Sequence, residues 1–136
     1  MKNRELKFRA WITPWGGDSQ PYMKYIEDLQ LHVYFGNWER GGYKDAVFQQ
    51  YTGLKDSKGV EIYEGDFVKY NPDDRTIERE GIIEWSNYYH GWAIRDKQCY
   101  PESDYGVFSL ASPFMSFNDV KIIGNIMQNP ELIKKQ

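Results

Sequence analysis

The chain has 136 residues, with 17 basic and 20 acidic side chains and a formal net charge of -3. A chain of this length can form one domain, or two small lobes, without help from disulfides or metals. The weak acidity argues against broad binding to a phosphate backbone, and the single cysteine, Cys99, excludes an intrachain disulfide.

The first residues and the apolar content predict where the protein works. The start, MKNRELKFRAWITP, is basic but does not continue into an apolar run of signal-peptide length. No stretch of the sequence approaches the ~20 apolar residues that span a membrane. A lone cysteine also fits a reducing compartment. We therefore expect a cytoplasmic protein with no membrane partner.

The aromatic content is high, at 17% of the chain. Aromatic side chains favour pleated, half-buried surfaces, so this composition predicts β structure. It suits a binding interface equally well, because Tyr and Trp also dominate interface hot spots. Composition therefore leaves a core role and an interface role both open.

Alternation of apolar and polar residues predicts strands along most of the chain. In residues 5–13, one face of the predicted strand carries Leu6, Phe8, Ala10 and Ile12. Residues 14–21 contain two prolines and a Gly-Gly pair, which predict a loop. Further strands are predicted at 26–35, 67–70, 81–85, 92–95, 107–111 and about 120–123.

Short strands separated by turn signals predict a mainly β fold, either a barrel or a small sandwich. The one helix signal lies near the end of the sequence, where Asn129 has the form of an N-cap and Pro130 of the first helical residue. We expect one or two turns of helix there, which must dock on the rest of the protein to be ordered.

The most patterned run is YTGLKDSKGVEIYEGDFVKY, residues 51–70, which contains two glycine turns close together. In DSKG, the carboxylate of Asp56 can accept from backbone N–H groups and Gly59 can supply a positive φ, which predicts a hairpin with a bulge. A second turn at Glu64-Gly65-Asp66 predicts an elbow, where the chain leaves one sheet and enters another. We interpret five residues of this run as structural: Gly53, Asp56, Gly59, Gly65 and Asp66.

Three segments of the sequence resemble the YopX family, a group of small proteins encoded by bacteriophages and prophages of mainly Gram-positive bacteria. The segments are RELKFRAW near the start, QYTGLKDSKGVEIYEGDFVKY in the middle and VKIIGNIMQNPELI near the end. They occur in the family's order and frame nearly the whole chain. The long central segment makes chance agreement implausible.

The resemblance implies a two-part, β-rich fold. An N-terminal β-containing lobe would occupy residues 1–62, and an SH3-like barrel with a short C-terminal helix would occupy residues 63–136. It also implies a phage or prophage accessory protein in a host bacterial cell, with no assigned catalytic or binding residues to carry over. The loop at 13–23 is longer than the family pattern, so a function placed there would be particular to this protein.

Neither metal binding nor catalysis is indicated by the residue spacing. The acidic residues of the central run lack the ligand spacing of an EF-hand, and its glycines do not match a phosphate-binding loop. His32 and His90 fall at exposed positions, and Cys99 has no identifiable base beside it. We therefore expect no cofactor and no metal. An uncharacterised hydrolase is the third hypothesis, because a carboxylate pair brought together by folding is invisible in a sequence.

The two leading hypotheses are interaction modules. Aromatic residues at polar strand positions, namely Trp11, Tyr34 and Trp38, fit a buried subunit contact and predict a non-enzymatic homo-oligomer. A phage or host protein is a further candidate partner.

The alternative hypothesis is a weak nucleic-acid-binding module, in which aromatic residues stack on bases and basic residues contact phosphates. The acidic residues of the same region argue against it, because they would repel phosphate. The candidate residues for contact with nucleic acid or a partner are Lys69, Tyr70, Arg79, Trp85, Tyr88, Tyr89, Trp92, Arg95 and Lys97.

Overall fold

The structure is a computed structural model that describes residues 6–16, 19–27, 41–71, 78–99, 106–111 and 120–133. The prediction of a mainly β protein is confirmed, with two antiparallel sheets. The strands are β1 (Lys7–Thr13), β2 (Tyr22–Glu27), β3 (Asp45–Lys55), β4 (Glu61–Tyr63), β5 (Asp66–Tyr70), β6 (Arg79–Ser86), β7 (Gly91–Asp96), β8 (Val107–Ser109) and β9 (Lys121–Asn125). The helices of the described residues are two short 3₁₀-helices, Lys97–Cys99 and Pro130–Ile133.

The first sheet has the strand order β2-β1-β3-β4. Its core contains Ala10, Ile12 and Ile26, with Tyr43 and Phe48 packed against them. The alternation predicted for residues 5–13 thus places the expected face of β1 inward. The strand predicted at 26–35 begins earlier than expected, because β2 already pairs with β1 from Tyr22 onward. Residues 28–35 of that prediction lie outside the described residues.

The second sheet has the strand order β8-β7-β6-β5-β9 and forms a half-barrel. The barrel predicted from the sequence is therefore present as a half-barrel. Its core is made of residues from several strands and from the segments that flank them, all of which are buried. They are Ile62, Val68, Tyr70, Ile83, Ile94, Leu110 and Val120.

The chain passes between the two sheets where the sequence predicts an elbow. β4 ends at Tyr63 in the first sheet and β5 begins at Asp66 in the second. Gly65 has a φ of 84°, a left-handed conformation that side chains other than glycine rarely adopt. Its N–H donates to the carbonyl of Ile83 at 2.8 Å, which fixes the turn against β6.

The compact units of the chain divide within β3, into Met1–Gly53 and Leu54–Gln136. This division precedes the predicted boundary between residues 62 and 63. Leu54 and Ile62 explain the difference, because both pack in the core of the half-barrel. That the two lobes are separate domains stays a prediction.

The C-terminal helix is a single turn at Pro130–Ile133, within the expected length, and it is a 3₁₀-helix, which is tighter than an α-helix. The carbonyl of Asn129 accepts from the N–H of Leu132 at 3.0 Å, as in a 3₁₀ turn. Its side-chain oxygen instead reaches back to the N–H of Asn125 at 3.2 Å. Asn129 therefore ties the helix to the end of β9, and its side chain does not play the predicted N-cap role.

Candidate interaction surface

Asp56 joins the DSKG hairpin to β9. One oxygen of its carboxylate accepts from the N–H groups of Lys58 and Val60, each at 2.9 Å. The other accepts from the N–H of Ile122 at 3.1 Å, across 66 positions of sequence. The neighbouring Ser57 N–H donates to the carbonyl of Val120 at 2.8 Å. Both oxygens of Asp56 thus serve the backbone.

These contacts set the acidity of Asp56. Burial raises the pKa of the carboxyl, because it penalises the charged form. The hydrogen bonds from Val60, Ile122 and Lys58 outweigh burial and hold the pKa below its ordinary value of 3.8. Asp56 is therefore a charged structural group.

Asp66 also serves the backbone. Its carboxylate is 2% exposed and accepts from the N–H of Tyr63 at 2.8 Å, which closes the turn between β4 and β5. Asp66 therefore accepts a hydrogen bond from the backbone, as the sequence predicts. Its donor, Tyr63, precedes it in the chain. Among the described residues, no group of three or more His, Cys, Asp or Glu side chains is placed to hold a metal ion.

Asp96 is in contact with both a tyrosine and an arginine, a combination that can occur in a functional site. The Tyr70 hydroxyl donates to its Oδ2 at 2.8 Å, and Arg79 lies 3.5 Å from the same oxygen. The Gln98 N–H donates to Oδ1 at 3.0 Å. Tyr70 is 0% exposed, so this cluster is closed to solvent on the tyrosine side.

Each basic residue of the candidate contact set lies beside a carboxylate. Lys69 lies 3.7 Å from Glu78, and Lys97 lies 3.5 Å from Glu80. Arg95 makes the shortest pair, with its Nη2 2.8 Å and its Nε 2.9 Å from one oxygen of Glu84. Together with the Arg79–Asp96 pair, these contacts offset the positive charge on this part of the sheet. A phosphate backbone would have to displace them.

The candidate contact residues do not share one face of the half-barrel. Cross-strand partners lie on the same face, so the pairs Tyr70–Arg79 and Trp85–Trp92 share the face of the sheet that carries Val68, although Arg79 and Trp85 are exposed on it. Lys69 and Arg95 point to the other face. Because Tyr70 is buried in the core, it belongs to the packing and not to an accessible surface.

Two pairs of aromatic residues lie at the β6–β7 hairpin, one across its strands and one in its turn. We call Trp85, Tyr88, Tyr89 and Trp92 the hairpin cluster. Trp85 and Trp92 meet edge-to-face with ring centroids 5.3 Å apart, and Tyr88 and Tyr89 do so at 5.0 Å. These are favourable geometries for aromatic pairs.

The hairpin cluster is exposed on one side and anchored on the other. Tyr88 is 85% exposed, while Trp85 and Tyr89 are 46% and 44% exposed. Trp92 packs against the half-barrel core, and its indole nitrogen is buried with no hydrogen-bond partner in the described part of the chain. The turn is held by the Ser86 hydroxyl, which accepts from the Tyr89 N–H at 3.2 Å. Aromatic area that is fixed in place and open to solvent is typical of a contact surface.

His90 belongs to the same turn and has a φ of 52°. A left-handed residue next to Gly91 is a turn feature, so the backbone conformation explains this position. His32 lies outside the described residues. Cys99 ends the 3₁₀-helix that follows β7.

The aromatic residues predicted for a subunit contact are only partly described. Trp11 is half-buried and lies between Met23 and Val47 in the register of the first sheet. Val47 is 37% exposed, so an apolar row crosses three strands on this face. Tyr34 and Trp38 lie outside the described residues.

The fold and this surface define a mainly β protein with paired charges and an exposed aromatic hairpin. The chain belongs to the YopX family, because the family model described as YopX protein matches residues 7–134. The resemblance read from the three sequence segments is thereby confirmed.

Two solved structures are similar over nearly their whole length. The crystal structure of protein EF1440 from Enterococcus faecalis is 23% identical, with 95% of this chain and 98% of that chain covered and a TM-score of 0.49. The crystal structure of protein YopX from Bacillus subtilis is 15% identical, with 94% and 98% covered and a TM-score of 0.47. No curated protein matches the sequence.

Among the described residues, none of the helices has the length and apolar character needed to cross a membrane.

Proposed function

We propose that this protein is a phage- or prophage-derived accessory protein that acts in the host cytoplasm as a non-enzymatic interaction module and associates with itself. The observation that carries the proposal is the hairpin cluster, which holds aromatic area open to solvent. A phage or host protein is a second partner that the same surface would suit.

The distribution of charge supports a binding role over a catalytic one. The carboxylates of Asp56 and Asp66 are occupied by backbone N–H groups, and Asp96 by Tyr70, Arg79 and the Gln98 N–H. A general acid or base must be free to reach a substrate proton. None of these three carboxylates is placed to act as the general acid or base that the hydrolase hypothesis requires.

Light scattering at several protein concentrations tests self-association. We expect a mass above that of the 16.1 kDa chain, falling as the protein is diluted. Replacing the two most exposed members of the hairpin cluster, as in Trp85→Ser with Tyr88→Ser, should weaken the assembly. Val60→Ser is a matched control, because Val60 is 50% exposed at a different hairpin. A monomer at every concentration would remove the proposal.

The alternative is the weak nucleic-acid-binding module. The aromatic pairs of the hairpin cluster favour it, because bases stack on aromatic rings. The four ion pairs disfavour it. Fluorescence titration with single- and double-stranded oligonucleotides at low and moderate salt separates the two cases. Binding that weakens steeply with salt would support the alternative, and the lack of any such binding by folded protein would eliminate it.

A further inference from the structure

β9 is the last strand of the half-barrel sheet beside β5. An edge strand presents N–H and C=O groups that can pair with a strand of another chain. Two N–H groups of β9 donate to side chains of flanking turns. The N–H of Ile122 donates to Asp56 at 3.1 Å, and the N–H of Asn125 donates to Asn129 at 3.2 Å. These two donors are therefore already bonded within the chain.

A bulge in β9 explains the spacing of the two donors. The pairing of β5 with β9 shifts between Phe67 and Val68, so that β9 has one residue too many in the ladder. N–H groups on one side of a regular strand recur at every second residue, whereas Ile122 and Asn125 are three positions apart. The extra residue accounts for the third position. Bulges are themselves one of the features that protect sheet edges.

The DSKG hairpin covers the end of the edge at which β9 begins. The Ser57 N–H donates at 2.8 Å to the carbonyl of Val120, the residue just before β9. The carboxylate of Asp56 accepts from the N–H of Ile122. Backbone groups on both sides of Lys121 are thus bonded to one hairpin.

The turn after β9 covers the other end. The carbonyl of Asn125 accepts from the N–H of Asn129 at 2.8 Å, in addition to the bond that its own N–H makes to the Asn129 side chain. The side chain of Asn125 holds the turn, because its Oδ1 accepts from the N–H groups of Met127 and Gln128 at 3.1 and 2.8 Å. One asparagine therefore shapes the turn, and the other caps the strand.

Gly124 makes room for this cap. An added Cβ would lie 2.6 Å from Oδ1 of Asn129 and 3.0 Å from its Cγ, which is too close for nonbonded atoms. Glycine weakens the interior of a strand and often marks a place where another group approaches closely. The side chain that caps the edge thus explains a glycine within β9.

We propose that the DSKG hairpin and the turn at residues 125–129 form a cover for the β9 edge, and that this cover prevents the half-barrel from adding a strand of another copy of the chain. The cover gives one role to two of the segments that mark the family, because the hairpin lies in the central segment and the turn in the last. It goes beyond the proposed function and does not rest on it, since the hairpin cluster lies on other strands.

Freeing both donors tests the cover. Asp56→Ala with Asn129→Ala removes the two side-chain acceptors of β9. We expect this double variant, while folded, to associate at concentrations at least about tenfold lower than its parent, because each freed N–H can bond to a strand of another molecule. Light scattering gives the mass at each concentration, and circular dichroism shows that the sample is folded. Trp85→Ser and Tyr88→Ser are present in every sample, so that the hairpin cluster does not contribute.

Gly124→Ala is an independent variant, because its Cβ displaces the side chain of Asn129 and leaves Asp56 unchanged. Asn129→Asp is the matched control, since a carboxylate oxygen can still accept from the N–H of Asn125. Gly81→Ala controls for lost stability, because its Cβ meets atoms of β7 and leaves both caps in place. We expect Gly124→Ala to associate and the two controls to behave like the parent.

The outcomes are decisive in each case. If the double variant is folded and keeps the mass of its parent at every concentration, the proposed cover is wrong. It is also wrong if Gly81→Ala associates as readily, because lost stability would then be the cause. If the double variant does not fold, the comparison of Gly124→Ala with Asn129→Asp decides. Self-association through the hairpin cluster is tested separately, on protein that retains Trp85 and Tyr88.

Discussion

Asp56 shows how a local turn signal and a distant contact can meet in one side chain. The D-x-x-G spacing predicts the turn, and the structure places the Gly59 N–H 3.0 Å from the Asp56 carbonyl with a φ of 80° at the glycine. The bond to Ile122 is not predictable in this way, because its donor lies on a strand near the other end of the chain. The sequence pattern thus predicts the partners of Asp56 within the turn but not its partner on a distant strand.

Replacing Asp56 with alanine should destabilise the protein by about 2–3 kcal/mol, because three backbone N–H groups lose a charged acceptor. Urea denaturation followed by circular dichroism measures the free energy of unfolding. Lys58→Ala is the control in the same turn, and it should change that free energy by about 0.5 kcal/mol or less, since Lys58 is exposed. Equal losses in the two variants would contradict the structural role of the carboxylate.

The lowered pKa of Asp56 predicts a contribution to acid unfolding. The folded pKa lies below the ordinary 3.8, so the stabilisation is complete above that value and is lost as the pH falls through the folded pKa. Asp56→Asn keeps the size of the side chain and removes its titration. We expect parent and variant to differ in stability at neutral pH and to converge as the pH falls through the lowered folded pKa of Asp56. Urea midpoints across an acid series test this, and a constant difference would show that the charge is irrelevant.

At the scale of elements, β6 depends on a residue without a side chain. A Cβ on Gly81 would meet the Cγ2 of Ile94 and would lie 2.7 Å from the Arg95 carbonyl, both on β7. The close approach of two strands thus explains a glycine inside a strand, where glycine is otherwise unfavourable. The sequence shows this glycine but not the neighbour that requires it.

Gly81→Ala should therefore cost about 1–3 kcal/mol, because a tightly packed position is overfilled. Gly91→Ala on the neighbouring strand is the matched control, since the nearest atom to an added Cβ there is 3.9 Å away. Thermal melts of both variants give the comparison. The explanation fails if the control is the more damaging change.

The alternation of apolar and polar residues predicts β1 well, because Ala10 and Ile12 are buried as the pattern indicates. The pattern does not predict that Arg9, on the opposite face, is also buried and donates to Gln49. The start of β2 was missed because Lys24 interrupts its apolar face between Tyr22 and Ile26. The ion pairs of Lys69 and Arg95 could not be derived either, since they depend on the register between strands.

At the scale of the whole molecule, the boundary between the two units predicts which C-terminal fragment of the chain can fold. A fragment of residues 54–136 retains Leu54 and Ile62, which pack in the half-barrel core, and Asp56, which binds β9. A fragment of residues 63–136 lacks all three. We expect the longer fragment to be folded and more stable than the shorter one.

Urea midpoints and the dispersion of amide proton resonances distinguish the two fragments. The longer fragment should show a cooperative transition, and the shorter one should unfold at lower urea or show no transition. If residues 63–136 are as stable as residues 54–136, the boundary predicted from the sequence is the better one, and the packing of Leu54 and Ile62 is dispensable.

The bond between Asp56 and Ile122 also has a consequence during synthesis. The ribosome releases the acceptor long before the donor, because 66 positions of chain separate them. The nascent hairpin therefore lacks this hydrogen bond until Ile122 has emerged. Joining ends so far apart costs loop entropy before the contact is gained, which slows folding. We infer that this protein completes its half-barrel only after β9 has been synthesised.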